Sequence, residues 1–366
     1  MGSKKRYIFV HMLNDFSGSP RVLADFSMAE AIQHENISVV TSRTSGFLDS
    51  VHGERISFWY PRSKSNVFNF ISFGLAHLQC FFIVFFLIMR SYFFGEKPIV
   101  LSNTLLSLSS MLVCRILRAR SVVYVHELSI KPKLMHQIAV RVIEYCADDV
   151  IFVSKFLKKQ FSFKAPLSVV IPNGLRNDFN DSNYLDFDRK FLKGKVLFVG
   201  SLKEYKGIFE LITISKMMPE IIFSGILNCS DKELADFIRD NDIPRNLAFE
   251  SRVDDLENRF RGAFLVLSLS KPKMWVETFG LTILEGMSCG CPCVVPPVGG
   301  HLDFFDSSCG LVADSADTKI ITNFILKLKR DQIYWRECSN NSIEGSSKLS
   351  HQSFLNLVDE FWQETN

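Results

Sequence analysis

The feature that most constrains this chain is an alternation of short apolar runs with helix-length segments. Before residue 176, six such runs are separated by longer stretches, among them the amphipathic Arg21–Gln33 and Leu134–Cys146. Runs rich in Val and Ile, separated by helices, indicate a parallel sheet covered on both faces. The predicted strands of this half are Tyr7–Val10, Ile37–Thr41, Ile99–Ser102, Val122–His126, Val150–Val153 and Ser168–Ile171.

The alternation stops in a polar stretch, Arg176–Lys195, and then starts again. We interpret this stretch as a linker, because 366 residues are enough for two domains. The sequence therefore predicts an α/β fold of two Rossmann-like domains, residues 1–180 and 181–366, with parallel sheets facing a cleft. An amphipathic last helix, Ser353–Gln363, could return to the N-terminal domain. The strands predicted for the second half are Val196–Val199, Ile221–Gly225, Leu247–Glu250, Phe264–Leu269, Cys293–Val295 and Gly310–Val312.

Charge and cysteine usage narrow the function classes. A net charge of +3 is too small to argue for nucleic acid, although it suits an acidic ligand or an anionic membrane surface. The nine cysteines are scattered in apolar runs, which favours buried thiols and a cytoplasmic protein. The first apolar run ends at once in His11, so we expect a first strand and not a signal peptide.

One segment, Phe68–Met89, approaches the length of a membrane span. Polar residues interrupt its first half, and the strand predicted at Ile99–Ser102 follows soon after. We favour a helix that packs on the sheet or faces a membrane over a helix that crosses one.

The most informative stretch runs from Glu277 to Val295. It predicts a loop carrying Glu277, a glycine turn at Gly280, and a helix that contains Glu285 and ends near Gly290. The N-terminus of such a helix favours a diphosphate, and carboxylates accept hydrogen bonds from sugar hydroxyls.

This pattern resembles that of the retaining glycosyltransferases of family 4, a glycogen-synthase-like group with the GT-B fold. The matching residues are Glu277, Phe279, Gly280, Glu285, Gly286, Met287, Gly290 and Pro292. The resemblance implies that Glu277 and the backbone of Phe279 and Gly280 hold the donor sugar. It also implies that Glu285 binds the ribose. We expect the helix N-terminus at Leu281 and Thr282 to stabilise the departing diphosphate.

A second stretch, Val196–Gly207, resembles the family's phosphate-binding loop. Lys206 matches the family lysine that grips the diphosphate, whereas Ser201 stands where the family has an arginine. Replacing a guanidinium by a serine hydroxyl removes a charged group that can bind phosphate through two hydrogen bonds. The sequence offers Lys203, Arg21 and Arg252 as replacements without choosing among them.

The first half resembles the family more loosely. Gly18 lies where the family has its glycine-rich loop, and His126 ends a predicted strand where the family commonly has a histidine beside the reacting sugar. We therefore predict Glu277, His126 and Lys206 as catalytic residues. The predicted donor-binding residues are Gly18, Ser201, Lys206, Phe279, Gly280, Leu281, Thr282 and Glu285.

The resemblance implies transfer of a hexosyl unit from a nucleotide-diphosphate sugar, with retention and without a metal or other cofactor. Cys289, Cys291 and Cys293 lack the spacing of a zinc site. The expected acceptor is a glycan or polyprenyl-linked glycan in the assembly of O-antigen, capsule, exopolysaccharide or lipopolysaccharide. We expect a cytoplasmic protein, peripheral on the inner face of the cytoplasmic membrane, without nucleic-acid partners.

Two alternatives remain open. One is another enzyme on the same architecture, such as a sugar-nucleotide epimerase or a phosphorylase. The other is a non-catalytic GT-B partner subunit that has lost donor binding, which Ser201 favours and Glu277, Glu285 and Lys206 oppose. The sequence leaves open the base, the sugar, the acceptor, the linkage and the oligomeric state.

Overall fold

The computed structural model describes residues 4–163, 167–179, 185–253 and 255–364. The chain divides into two compact units, the first comprising Met1–Asn173 with Gln352–Asn366 and the second Gly174–His351. The boundary predicted between residues 180 and 181 lies outside the described residues.

The first unit contains a seven-stranded sheet in which every described pairing is parallel. Six strands correspond to the predicted ones. The exception, Glu54–Phe58, is an edge strand whose polar sequence contains no buried apolar run, which explains why alternation alone misses it. The strands are β1 (Lys5–His11), β2 (Asn36–Ser42), β3 (Glu54–Phe58), β4 (Lys97–Ser102), β5 (Arg120–Val125), β6 (Asp149–Phe152) and β7 (Leu167–Val170), in the order β3-β2-β1-β4-β5-β6-β7.

Helices follow the strands of the first unit as predicted, with one difference. The stretch Arg21–Gln33 forms two helices instead of one, since the chain leaves the helical conformation at Ala29. The helices are α1 (Gly18–Phe26), α2 (Glu30–Gln33), α3 (Asn66–Phe93), α4 (Leu108–Leu117), α5 (Lys133–Cys146) and α6 (Lys155–Lys158).

The second unit contains a six-stranded parallel sheet, in agreement with the predicted strands. Two such sheets, each with helices between its strands, confirm the predicted α/β class of two Rossmann-like domains. The strands are β8 (Lys195–Ser201), β9 (Phe223–Asn228), β10 (Leu247–Ser251), β11 (Ala263–Leu267), β12 (Cys293–Val295) and β13 (Gly310–Val312), in the order β10-β9-β8-β11-β12-β13.

Part of the predicted linker is helical and belongs to the core of the second unit. Residues 187–193 form α7, and the ring of Phe191 lies 5.4 Å from that of Trp335, which stacks on Phe264. Apolar side chains in a polar stretch therefore anchor it to the sheet. The helices of this unit are α7 (Phe187–Lys193), α8 (Ile208–Met217), α9 (Asp231–Asp240), α10 (Leu256–Arg261), α11 (Leu281–Ser288), α12 (Thr318–Arg330) and α13 (Gln332–Ser347).

The last helix, α14 (His351–Glu364), is amphipathic as predicted, and its residues from Gln352 onward pack in the first unit. Trp362 makes an edge contact with Tyr7 at 5.1 Å. The carboxylate of Asp359 accepts hydrogen bonds from the backbone N–H groups of Glu30 and Ala31, at the start of α2. Aromatic burial and capping of a helix N-terminus hold this segment in place.

Candidate functional site

The predicted donor residues of the second unit lie at the end of β8, in the segments that follow β8 and β11, and in α11. β8, β11 and β12 are adjacent and parallel, so the segments that follow them leave the sheet at the same edge. These segments carry Lys206 after β8, Glu277 after β11 and His301 after β12. Parallel α/β sheets bind ligands at this edge.

Lys206 and Glu277 form an ion pair at this edge. The Lys206 Nζ atom lies 2.5 Å from Glu277 Oε1, and the hydroxyl of Ser270 donates to the same oxygen at 2.6 Å. Both side chains are mostly buried, with 22% and 17% exposed. The structure thus brings together two residues that the sequence predicts as catalytic, and it adds Ser270, which sequence reasoning missed.

The Glu277 carboxylate is held in its charged form. Burial alone would raise its pKa, but the Lys206 ammonium and the hydrogen bonds from Lys206 and Ser270 outweigh burial and lower the pKa below its ordinary value. Its backbone carbonyl accepts from the N–H of Gly300 at 2.7 Å. A fixed carboxylate beside a fixed ammonium can accept hydrogen bonds from hydroxyls while the cation contacts an anion.

Gly280 turns the chain from the Glu277 loop into α11. Its φ of +98° lies in the left-handed region, where glycine is favoured. A Cβ atom there would also lie 3.0 Å from His301 Cβ. Phe279 is buried and packs against Phe304 at 5.2 Å, so its backbone rather than its ring is available to a ligand. Leu281 and Thr282 are half-buried in the first turn of α11, where N–H groups have no partner within the helix.

Glu285 lies one turn further along α11 and is buried. The Nε atom of Arg176 lies 3.3 Å from its Oε1 atom, and the guanidinium lies 4.5 Å from the centre of the Phe179 ring. Sequence reasoning missed Arg176, because it lies in a polar stretch remote from the motif. The carboxylate predicted to bind ribose is therefore paired with a cation.

Ser201 ends β8, and its carbonyl accepts a hydrogen bond from the N–H of Lys203. The side chain of Lys203 is exposed. Arg21, in the first unit, forms an ion pair with Asp25 at 3.0 Å. Arg252 directly follows the edge strand β10. Lys206 is the cation that the structure brings into contact with Glu277.

His301 is a further buried group that the sequence analysis did not single out. Its Nε2 atom lies 2.8 Å from the carbonyl oxygen of Pro296 and therefore carries the proton. The Nδ1 atom has no hydrogen-bond partner among the described residues. Burial lowers the pKa of the imidazole, so the ring is neutral. The sequence feature that could have identified His301 is its position, directly after Gly299-Gly300 and a few residues after the buried strand β12.

The predicted residues of the first unit belong to a polar network at the carboxyl ends of β1, β4 and β5. Asn103 Nδ2 donates to the carbonyl of Ser19, next to Gly18, so its Oδ1 atom accepts from His126 Nε2 at 2.8 Å. His11 Nδ1 lies 3.2 Å from the same amide nitrogen. Asn103, which the sequence analysis missed, thus joins the first turn of α1, which contains Gly18, to His126.

The histidines of this network are neutral. Burial lowers the pKa of His126 to about 3, with a further contribution from His11, and burial lowers the pKa of His11 to about 4. The neighbouring carboxyl of Glu127 has a pKa raised by burial. In the described ranges, no group of three or more His, Cys, Asp or Glu side chains is arranged to hold a metal ion.

Comparison with known proteins finds a family match within the second unit. Residues 188–345 match the model of the family described as glycosyl transferases group 1. This segment contains the Lys206–Glu277 pair and the whole of α11. The match covers most of the second unit and less than half of the chain.

Two curated relatives match this chain over part of their length. Sucrose-phosphate synthase of Zea mays is 34% identical over 89 residues, which are 24% of this chain and 8% of the relative. The processive diacylglycerol alpha-glucosyltransferase of Acholeplasma laidlawii is 29% identical over 163 residues, 41% of this chain and 48% of that protein. The chain therefore spans less than half the length of either relative.

Among solved structures, Anabaena Alr3699/HepE in complex with UDP and glucose is similar over nearly the whole chain. The TM-score is 0.76, the identity 18%, and the match covers 98% of this chain and 99% of that one. This likeness shows that the chain has the fold of GT-B glycosyltransferases.

Proposed function

We propose that the protein is a glycosyltransferase that moves a hexosyl unit from a nucleotide-diphosphate sugar to a glycan or a lipid-linked glycan. The observation that carries the proposal is the Lys206–Glu277 ion pair shortly before the start of α11, inside the segment that matches the group 1 glycosyltransferase model. Anabaena HepE, whose fold is similar, has been crystallised with UDP-glucose.

Each group of this site has a distinct role in donor binding. Lys206 and the N-terminus of α11 contact the diphosphate, since both present positive charge to an anion. Glu277, held charged by Lys206, accepts hydrogen bonds from the hydroxyls of the sugar. Glu285 accepts from the ribose, and the contact with Arg176 fixes the position of its carboxylate.

The reaction breaks the bond between the anomeric carbon and the diphosphate oxygen. Negative charge develops on the leaving diphosphate, and Lys206 stabilises it. We infer transfer with retention, in which the acceptor hydroxyl attacks from the face that the diphosphate leaves and gives its proton to a diphosphate oxygen. His126, as a neutral imidazole, is the proposed catalytic residue of the first unit. The proposal includes no metal and no other cofactor.

An apolar helix face supports a lipid-linked acceptor. Seven side chains recur on α3 every three or four residues and are all exposed, whereas the opposite face contacts the sheet. α3 is long and apolar enough to cross a membrane, and a third of its most apolar stretch is buried. The exposed residues are Ile71, Leu75, Leu78, Phe82, Phe86, Met89 and Phe93, called here the α3 ridge.

Basic residues surround the α3 ridge in sequence. From Arg62 to Arg141 the chain has ten Lys or Arg and two Asp or Glu. Apolar side chains flanked by cations suit the surface of an anionic bilayer. We therefore propose peripheral binding to the inner face of the cytoplasmic membrane, with a polyprenyl-linked acceptor in the assembly of a bacterial surface polysaccharide. The relative from Acholeplasma laidlawii is a diacylglycerol glucosyltransferase.

The first experiment is thermal unfolding of the purified protein against UDP, GDP, ADP, TDP and CMP. A ligand that binds the native state raises the unfolding midpoint. We expect one diphosphate to raise it, and we expect Glu285→Ala to abolish the rise. The control is Glu337→Ala, an exposed carboxylate in the same unit, which should keep the full response.

The second candidate function is that of a non-catalytic partner subunit, and Ser201 is the observation that favours it. No rise in the midpoint with any of the nucleotides at millimolar concentration would contradict the enzyme proposal. The partner-subunit proposal would then take its place, because loss of the arginine would have removed diphosphate binding.

A further inference from the structure

Within the loop between β11 and α11, residues 270–277 form a closed turn. Its two ends meet where the hydroxyl of Ser270 donates to Glu277 Oε1 at 2.6 Å. Inside the turn, the N–H groups of Met274 and Trp275 both donate to the carbonyl of Lys271, at 2.9 and 2.8 Å. The backbone position of Trp275 is therefore fixed relative to Glu277.

A second set of contacts fastens this turn to the segment that carries Lys206. The N–H of Lys271 donates to the carbonyl of Tyr205 at 2.9 Å. The ammonium of Lys271 lies 2.9 Å from Glu210 Oε1, in α8, and 3.6 Å from Glu204 Oε1. One backbone hydrogen bond and two ion pairs thus join the two segments into one assembly, with the Lys206–Glu277 pair between them.

Trp275 stacks on Tyr205 at the outer side of this assembly. Their ring centres are 5.1 Å apart and their planes are 23° from parallel. The Lys206 ammonium lies 5.7 Å from the centre of the Trp275 ring, within the range of a cation–π contact. Trp275 nevertheless remains 44% exposed, so much of the indole surface is open to a ligand.

We propose that Trp275, supported by Tyr205, is a stacking platform for the apolar face of a hexopyranose ring. The proposal rests on the proposed function and names a part of the substrate that Trp275 contacts. A pyranose presents C–H groups on one face, and an indole held in place buries them without losing side-chain entropy.

The position of Trp275 favours a sugar over the nucleobase. Trp275 is two residues from Glu277, the proposed sugar-binding carboxylate, and beside Lys206, the proposed diphosphate contact. Glu285, proposed to hold the ribose, lies in α11 on the other side of Glu277 in the sequence. The pyranose can belong to the donor or to the acceptor, and the experiment separates these sources.

The test is ¹⁹F NMR of the full chain labelled with 5-fluorotryptophan. The sequence has four tryptophans, and Trp275→Phe identifies the resonance of Trp275 by its loss. The probes are UDP, UDP-glucose and the methyl glycosides of glucose, galactose, mannose and N-acetylglucosamine, the glycosides with and without UDP. We expect UDP-glucose to shift the Trp275 resonance beyond any shift with UDP if the ring is that of the donor. We expect the glycosides to shift it if the ring is that of the acceptor.

Two results would overturn the platform. One is an equal shift with UDP and UDP-glucose and none with the glycosides, which would assign Trp275 to the nucleobase. The other is no shift with any probe, whether or not the nucleotides raise the unfolding midpoint. A shift with glycosides in a protein that binds no nucleotide would support the platform while the proposed enzyme function fails.

Variants give a second readout. Trp275→Leu should weaken binding of the responding sugar roughly tenfold, since it removes stacking and apolar contact. Trp275→Tyr should restore most of it. The matched control is Met274→Leu, an exposed neighbour in the same turn, with wild-type binding expected. Equal sugar binding by Trp275→Leu and wild type would also overturn the platform.

Discussion

Lys206 and Glu277 are 71 positions apart in sequence, yet their side chains meet at 2.5 Å because the strands before them, β8 and β11, are parallel neighbours. Ser270 donates to the same carboxylate oxygen. The pair is mostly buried, and Lys206 lowers the pKa of the Glu277 carboxyl and so holds it in its charged form. This coupling allows its structural and catalytic contributions to be separated.

Lys206→Met should abolish most activity and also destabilise the protein. The variant leaves a mostly buried carboxylate without its cation, which we expect to lower the free energy of unfolding by about 2 kcal/mol. It also removes the positive charge that stabilises the proposed leaving diphosphate. This loss should lower kcat about 100-fold or more. Denaturant unfolding and initial-rate kinetics measure the two effects.

The double variant Lys206→Met/Glu277→Gln separates the effect on stability from the effect on activity. It has no unpaired charge at the site, so its stability should return toward that of the wild type while its activity stays low. Recovery of activity together with stability would show that the pair has only a structural role.

The histidines of the first unit should make its stability depend on pH. The folded pKa values of His126 and His11 are about 3 and about 4, whereas the ordinary value is 6.5. Between about pH 6.5 and pH 4 the unfolded chain binds protons that the folded chain does not, so stability falls as the pH falls. Each histidine contributes up to about 1.4 kcal/mol per pH unit.

The measurement is urea unfolding at a series of pH values for the wild type and His126→Gln. The glutamine amide can still donate to Asn103, but it does not titrate. We expect the free energy of unfolding of the variant to change less steeply with pH than that of the wild type. The difference in slope should correspond to at most one bound proton. Identical slopes would mean that His126 is not buried as a neutral group.

The fold follows from the sequence where apolar runs are long and buried on both faces. β1 and β8 were predicted for this reason, whereas the edge strand β3 was missed because its polar residues face solvent. The interpretation of Arg176–Lys195 as a linker fails at Phe191. Its packing on Trp335 depends on a residue far away in sequence.

The candidate site could be predicted where its residues form a local motif. Glu277, Gly280 and Glu285 lie within one loop and one helix, and the family pattern contains them together. Arg176 and Asn103 reach their partners from other elements, and no local spacing indicates such contacts. These contacts depend on elements that are distant in sequence and adjacent only in the fold.

Gly280→Ala should weaken donor binding through the backbone. A side chain at φ +98° is strained, and its Cβ atom would lie 3.0 Å from His301 and 3.1 Å from Ile283. We expect a loss of about 1–2 kcal/mol in unfolding free energy and a weaker nucleotide-induced rise in the unfolding midpoint. Gly74→Ala, with open space around its Cβ position in α3, is the control and should be neutral or slightly stabilising. A wild-type nucleotide response in Gly280→Ala would contradict a role for this turn in positioning the diphosphate.

The α3 ridge should determine membrane binding. Phe86 and Phe93 are 66% and 84% exposed on it, and each gains about 1.5–3 kcal/mol when fully removed from water, so partial insertion of both still gives a large effect. We expect the double variant Phe86→Ser/Phe93→Ser to reduce co-sedimentation with phosphatidylglycerol-containing vesicles at least about tenfold. Ile333→Ser removes an apolar side chain that is 75% exposed in the second unit, and it should bind these vesicles like the wild type.

Because the basic residues near the ridge are unchanged in the double variant, its residual binding should decrease as the salt concentration rises. Equal losses in the double variant and in Ile333→Ser would show that the ridge is no specific membrane contact.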